Sequence, residues 1–148
     1  MQKICKCFSI GLLFFLALSC KRGTGENTGN FNPDAGNIQV VLFHLPQRCA
    51  SCDAVETETR KVLNLYFRED VEMGKISFVS MSFRDRKGRE AARMLGASGQ
   101  ALLVVSPDTT VDLTVDGFMH AGTHPERFRD TLRKELKKMR IENAGISQ

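Results

Sequence analysis

The apolar residues of this chain come in runs whose period changes along the sequence. The first run, Ile10 to Leu18, is unbroken, and Lys3 and Lys6 precede it. A positive start followed by a short apolar stretch is the pattern of a secretory signal, and this stretch is too short to span a bilayer comfortably. Residues 1–19 are therefore expected to be a signal peptide. Residues 20–36 carry no apolar period and are rich in Gly, Asn and Thr, the composition of a flexible tether. Ile38 to Leu45 is apolar on both faces, as a central buried strand is. From about Cys52 to Phe67 the period lengthens. Val55, Thr59, Val62, Leu63, Tyr66 and Phe67 recur in steps of three and four, which places them on one face of a helix. Glu56, Glu58, Arg60 and Lys61 fall on the other.

Met73-Gly74 breaks that helix. Ile76, Phe78 and Met81 with polar Ser77 and Ser80 predict a second strand over about Lys75 to Phe83. A charged turn, Arg84 to Gly88, leads to a short helix through Ala91, Ala92, Met94 and Leu95, with Gly96 in the position a C-cap glycine takes. Ala101 to Val105 is a short apolar strand, and Ser106-Pro107-Asp108-Thr109 is turn chemistry. Val111, Leu113 and Val115 alternate with Asp112, Thr114 and Asp116, which predicts a half-buried edge strand paired to its predecessor as a hairpin. Gly117 opens a loop. Thr123-His124-Pro125-Glu126 fits a capping box with a proline in the first turn. The last helix buries Phe128, Leu132, Leu136 and Met139 and turns Arg133, Lys134, Lys137 and Lys138 to solvent. Residues 143–148 read as a loose tail.

The predicted order is β-α-β-α-β-β-α over residues 37–142. It describes an α/β domain with a four-stranded mixed sheet flanked by three helices. The first two strands are expected to be parallel through a crossover helix. The strand from Ala101 is expected to lie antiparallel to the first.

Composition adds bounds. The 148 residues are 42% hydrophobic and 26% charged, enough apolar material for one core. The formal charge is +4, and loss of Lys3 and Lys6 leaves 19 basic against 17 acidic residues, or +2. That balance argues against a nucleic-acid partner. The apolar run ends in Ala17-Leu18-Ser19-Cys20, which resembles a bacterial lipobox. It departs from the usual pattern in having Ala17 where a large aliphatic residue is customary. The resemblance implies a lipoprotein acylated at Cys20, held by its lipid anchor in the cell envelope and facing the periplasm.

The cysteines then sort themselves. Of five, Cys5 and Cys7 leave with the signal and Cys20 is blocked by lipid, so Cys49 and Cys52 remain as free thiols. They form a CxxC at the junction of the first strand with the first helix. A helix N-terminus stabilises a thiolate through its free N–H groups and dipole. A disulfide between residues this close removes little unfolded-chain entropy, so redox exchange explains the pair better than a structural staple does. Zinc ligands share the spacing.

Strand, CxxC, helix, strand, helix, hairpin, helix resembles the thioredoxin core over about residues 37–141. Three thioredoxin hallmarks are absent: no Trp precedes Cys49, where Arg48 stands; Leu42 and Phe43 replace the buried acid of the first strand; Ser98-Gly99-Gln100-Ala101 replaces the cis-proline loop. His44, Arg48-Cys49, Ser51-Cys52 and Val55-Glu56 resemble more closely the ArsF-like family of thioredoxin-fold proteins, named as subunits of a nitrophenyl-compound nitroreductase system. The resemblance implies a thiol-disulfide redox protein whose cofactor is its own redox-active disulfide. Its partners would be a membrane dithiol electron donor and a disulfide or reductase protein, and the electrons would serve nitroaromatic reduction.

On this reading Cys49 attacks, Cys52 resolves, and Arg48 helps hold the Cys49 thiolate. His44, at the strand end, is open to three roles: proton transfer with Cys52, metal ligation, or a structural hydrogen bond. Glu56, one turn beyond Cys52, is either a proton acceptor or an exposed helix residue. A rival expectation follows from Gln100 in place of a shielding proline: a module holding Cu(I) or Zn(II) on Cys49, Cys52 and His44, with His120 or His124 in reserve.

Overall fold

A computed structural model describes residues 31–146 of the chain. The signal, the Cys20 lipid site and most of the tether lie outside the described residues. Strands β1 (Ile38–His44), β2 (Ile76–Ser82), β3 (Ala101–Val105) and β4 (Thr110–Asp112) form one sheet in the order β2-β1-β3-β4. Strand β1 runs parallel to β2, with Val41 opposite Val79, and antiparallel to β3, with Val41 opposite Leu103. Strand β4 runs antiparallel to β3. This is the predicted mixed sheet, in an arrangement compatible with a thioredoxin-like fold.

Central position explains why β1 is apolar on both faces. Ile38, Val40 and Leu42 enter one core cluster with Val55, Val62 and Leu63 of helix α1 (Ala50–Tyr66) and Phe128, Leu132, Leu136 and Met139 of helix α5 (Pro125–Ile146). Val41 and Phe43 enter the other, against Ala91 and Ala92 of helix α3 (Arg86–Met94). Gly96 has φ 70°, a left-handed conformation that glycine adopts without strain, and it ends α3 as expected.

Two short helices join the three predicted ones. Helix α2 (Arg68–Glu72) follows α1 directly and is tied to α5 by Arg140 and Asp70, 3.0 Å apart. Helix α4 (Thr114–His120) replaces the second half of the expected edge strand. The cause is local and tertiary together. Asp112 Oδ1 accepts from the Thr114 N–H at 2.8 Å and turns the chain out of the sheet. The Leu113 N–H donates to the Leu102 carbonyl, and the Thr114 hydroxyl accepts from the Leu102 N–H. Leu113 is buried while Val115 is 73% exposed, so the alternation does not continue. Gly117, read as a loop, lies buried inside α4, where a Cβ would come within 3.3 Å of Leu102, 3.5 Å of Val55 and 3.6 Å of Phe128. Only the Leu102 distance is tighter than ordinary contact, so the missing side chain lets α4 settle closely on β3.

The capping box does not form. Helix α5 begins at Pro125, Thr123 donates its hydroxyl to the Met119 carbonyl at 2.7 Å, and Glu126 pairs forward with Arg129. Both boundaries of the domain also reach further than expected. Asn32 exchanges hydrogen bonds with the buried Gln39 side chain, and Phe31 packs on the second cluster, so 31–36 are fastened to the sheet. At the other end α5 continues through Asn143, Ala144 and Gly145.

Candidate functional site

The dithiol sits where β1 delivers the chain to α1. After His44 the segment Leu45 to Arg48 is exposed, and Cys49 is the N-cap residue of α1 in an extended conformation, φ −111° and ψ 163°. No side chain caps this end. The first-turn N–H groups are left to the Cys49 sulfur, which is exposed to solvent. Cys52 lies within the first turn and is fully buried. Both thiols are free, with their sulfurs 3.4 Å apart.

This placement makes the two cysteines unlike. The Cys52 backbone N–H holds the Cys49 thiol below the ordinary cysteine range, and the Cys52 thiol, the Ser51 N–H and the Gln100 amide add to it. Burial pushes the Cys52 thiol up, as do its hydrogen bond to Cys49 and the negative charge there. Of the two thiols, the exposed one is therefore the readier to give up its proton, and the buried one holds its proton longer.

Arg48 is less available to Cys49 than its adjacency suggests. Its Nε lies 3.1 Å from Asp53 Oδ1, and its Nη2 donates to Glu56 Oε2. Glu56 also accepts from Arg60 at 2.8 and 3.0 Å, and from the Ser80 hydroxyl of β2 at 3.5 Å. Its side chain is 18% exposed, so it is a half-buried hub rather than an exposed helix residue. Burial pushes its carboxyl up, but the Arg48 and Arg60 bonds outweigh this and hold it below the usual carboxylate range. Among the opposite charges near Cys52 is Arg48, whose guanidinium favours the thiolate there. The (i,i+4) spacing of Glu56 and Arg60 is a signal of the hub readable in sequence; the Ser80 contact is not.

His44 Nδ1 lies 2.8 Å from the Leu45 carbonyl, so that nitrogen carries the proton and donates it. Among the described residues the ring makes no hydrogen bond to either sulfur. His120 and His124 stand edge-to-face, 6.0 Å between ring centroids, at the junction of α4 with α5. No group of three or more His, Cys, Asp or Glu able to hold a metal ion occurs among the described residues, so Cys49, Cys52 and His44 are not assembled as a ligand set. Gln100 is the residue whose position the sequence reading marked but whose contact it missed. Its Nε2 lies 3.1 Å from Cys52 Sγ and 4.0 Å from Cys49 Sγ. No helix of the described residues is long and apolar enough to cross a membrane.

No family model matches the chain, and no curated protein matches it. Among solved structures, a malarial protein shares 15% identity with a TM-score of 0.38, covering 56% of this chain and 93% of that one. A likeness of that size bears on neither fold nor activity.

Proposed function

We propose that this chain is a thiol-disulfide exchange protein whose working group is the Cys49–Cys52 dithiol. The observation that carries the reading is the asymmetry of the pair: an exposed sulfur at a helix N-terminus, whose thiol the backbone N–H groups hold below the ordinary range, 3.4 Å from a buried sulfur whose thiol burial pushes up. An exchange protein needs that division of labour. The Cys49 thiolate attacks a partner's disulfide, forming a mixed disulfide and releasing one partner thiolate. Cys52 then attacks Cys49 Sγ, the mixed bond breaks, and the second partner thiolate leaves with the Cys52 proton. The dithiol loses two electrons and the partner gains them. Leu45, 47% exposed beside the motif, offers an apolar contact to an incoming polypeptide.

The setting is part of the same proposal. Acylation at Cys20 would hold the domain on the periplasmic side of the envelope. The envelope is oxidising, so a reductant working there needs its own supply, a membrane dithiol donor. The nitroaromatic-reducing acceptor rests on the ArsF-like motif resemblance alone.

The test is Cys52→Ser in the native host. Mixed disulfides through Cys49 are expected to accumulate and to dissolve in reductant, and Cys49→Ser is expected to trap far less. Absence of trapping in both variants, with a stoichiometric copper or zinc ion retained by the reduced wild type, would replace this reading by metal delivery.

A further inference from the structure

We propose that the Gln100 carboxamide is a hydrogen-bond donor shared by both sulfurs of the dithiol, stabilising whichever one carries negative charge during exchange. This rests on the exchange reading of the same site. Gln100 is half-buried in the segment leading into β3, and β3 is paired to β1, whose end delivers the CxxC. The register sets Ala101 opposite Phe43, so the residue before Ala101 is brought to the sheet end that bears the motif. The amide nitrogen has two N–H groups and two sulfurs before it, at 3.1 and 4.0 Å. A thiolate can only accept hydrogen bonds, so the nitrogen end of the amide is the end that serves it.

The two distances match the two halves of the reaction. In the reduced state Cys49 is the readier of the two thiols to ionise, and the amide assists the backbone N–H groups there. In the mixed disulfide Cys49 carries no charge, and Cys52 must lose its proton inside the fold to attack. Cys52 is fully buried, and among the described residues no carboxylate hydrogen-bonds to its sulfur. The nearer N–H, 3.1 Å away, is positioned for the charge that then develops on Cys52. As Cys52 Sγ bonds to Cys49 Sγ, the bond from Cys49 to the partner breaks, its electron pair leaves on the partner sulfur, and that sulfur takes up the proton Cys52 gave up. Gln100 takes no proton and forms no bond; it only lowers the cost of a buried thiolate.

Two substitutions of similar length separate donation from space filling. Gln100→Met fills the site without a donor, and Gln100→Glu keeps the shape but places a carboxylate against the sulfurs. Three readouts are taken on the purified domain: thiolate absorbance against pH, the dithiol/disulfide equilibrium in glutathione buffers, and the resolution rate of a mixed disulfide preformed with a small aromatic thiol. Both variants are expected to titrate Cys49 at higher pH, Glu more than Met. Both are expected to shift the equilibrium toward the disulfide by about tenfold, a fall of about 30 mV for a two-electron couple. Both are expected to slow resolution by at least about tenfold, as loss of a charge-assisted bond implies. If Met behaves as wild type in all three, Gln100 fills space and the proposal is overturned. A wild type that titrates normally but does not exchange would overturn the functional reading, while the titration would still measure what Gln100 contributes.

Discussion

The first turn of α1 and the middle of the same helix are built on opposite rules. The first turn exposes Cys49, Ala50 and Ser51, has no capping side chain, and aims its N–H groups at a sulfur. The middle buries Glu58, Thr59, Val62 and Leu63 against the rest of the domain. Glu58 there accepts from Lys61 and from Arg129 of α5. Val62 and Leu63 pack in the cluster that holds Phe128, Leu132 and Leu136. The helix is held by its middle, and the start of its first turn is left exposed. The first-turn N–H groups serve the Cys49 sulfur in place of a conventional cap, and the packing further along holds the helix.

Breaking the held region is expected to produce the largest effect. Leu63→Ala removes a buried side chain from the main cluster and should cost about 2–5 kcal/mol in urea unfolding. The folded fraction should keep its Cys49 reactivity. A smaller loss would mean that α1 is held elsewhere than through this cluster.

A second, smaller effect is expected at Glu58. Burial pushes its carboxyl up, but bonds from Lys61 and Arg129 prevail and hold it below the usual range. A carboxyl lowered in the folded state stabilises it above the unfolded carboxylate range, and the gain disappears as pH falls through the folded value. Glu58→Gln should therefore cost about 1 kcal/mol near neutral pH. Its deficit relative to wild type should vanish in acid, as thermal melts across pH would record.

The least effect on stability is expected at the free end. Cys49→Ser should leave the unfolding midpoint where it is while abolishing exchange with small disulfides. A large drop in stability would show that the first turn also carries structural weight and would erase the contrast between the two regions.

Much of this architecture is legible in the chain because the relevant signals are local. A run apolar on both faces makes β1 central, a period of three and four makes α1 amphipathic, and Gly96 stops α3. The CxxC falls where a strand pattern meets a helix pattern, which places a thiol at a helix N-terminus without any tertiary knowledge. Where two local patterns are compatible with the same residues, reading fails. Val111, Leu113 and Val115 alternate as a strand does, yet the chain turns into α4 after Asp112. The decision belongs to contacts with Leu102 and to the close approach at Gly117.

The site divides in the same way. The sequence alone determines that Cys49 and Cys52 form a CxxC, that the pair sits at a helix start, and that Arg48 and Glu56 lie near it in the chain. Only the tertiary structure decides how those groups act. It turns Arg48 onto Asp53 and Glu56, ties Glu56 to Ser80 of β2, buries one sulfur and exposes the other, and carries Gln100 across 48 positions to within 3.1 Å of Cys52. The physical reason is range. Helix periods and helix-end electrostatics act over a turn or two of chain, whereas burial and hydrogen bonding depend on which strands the sheet sets side by side.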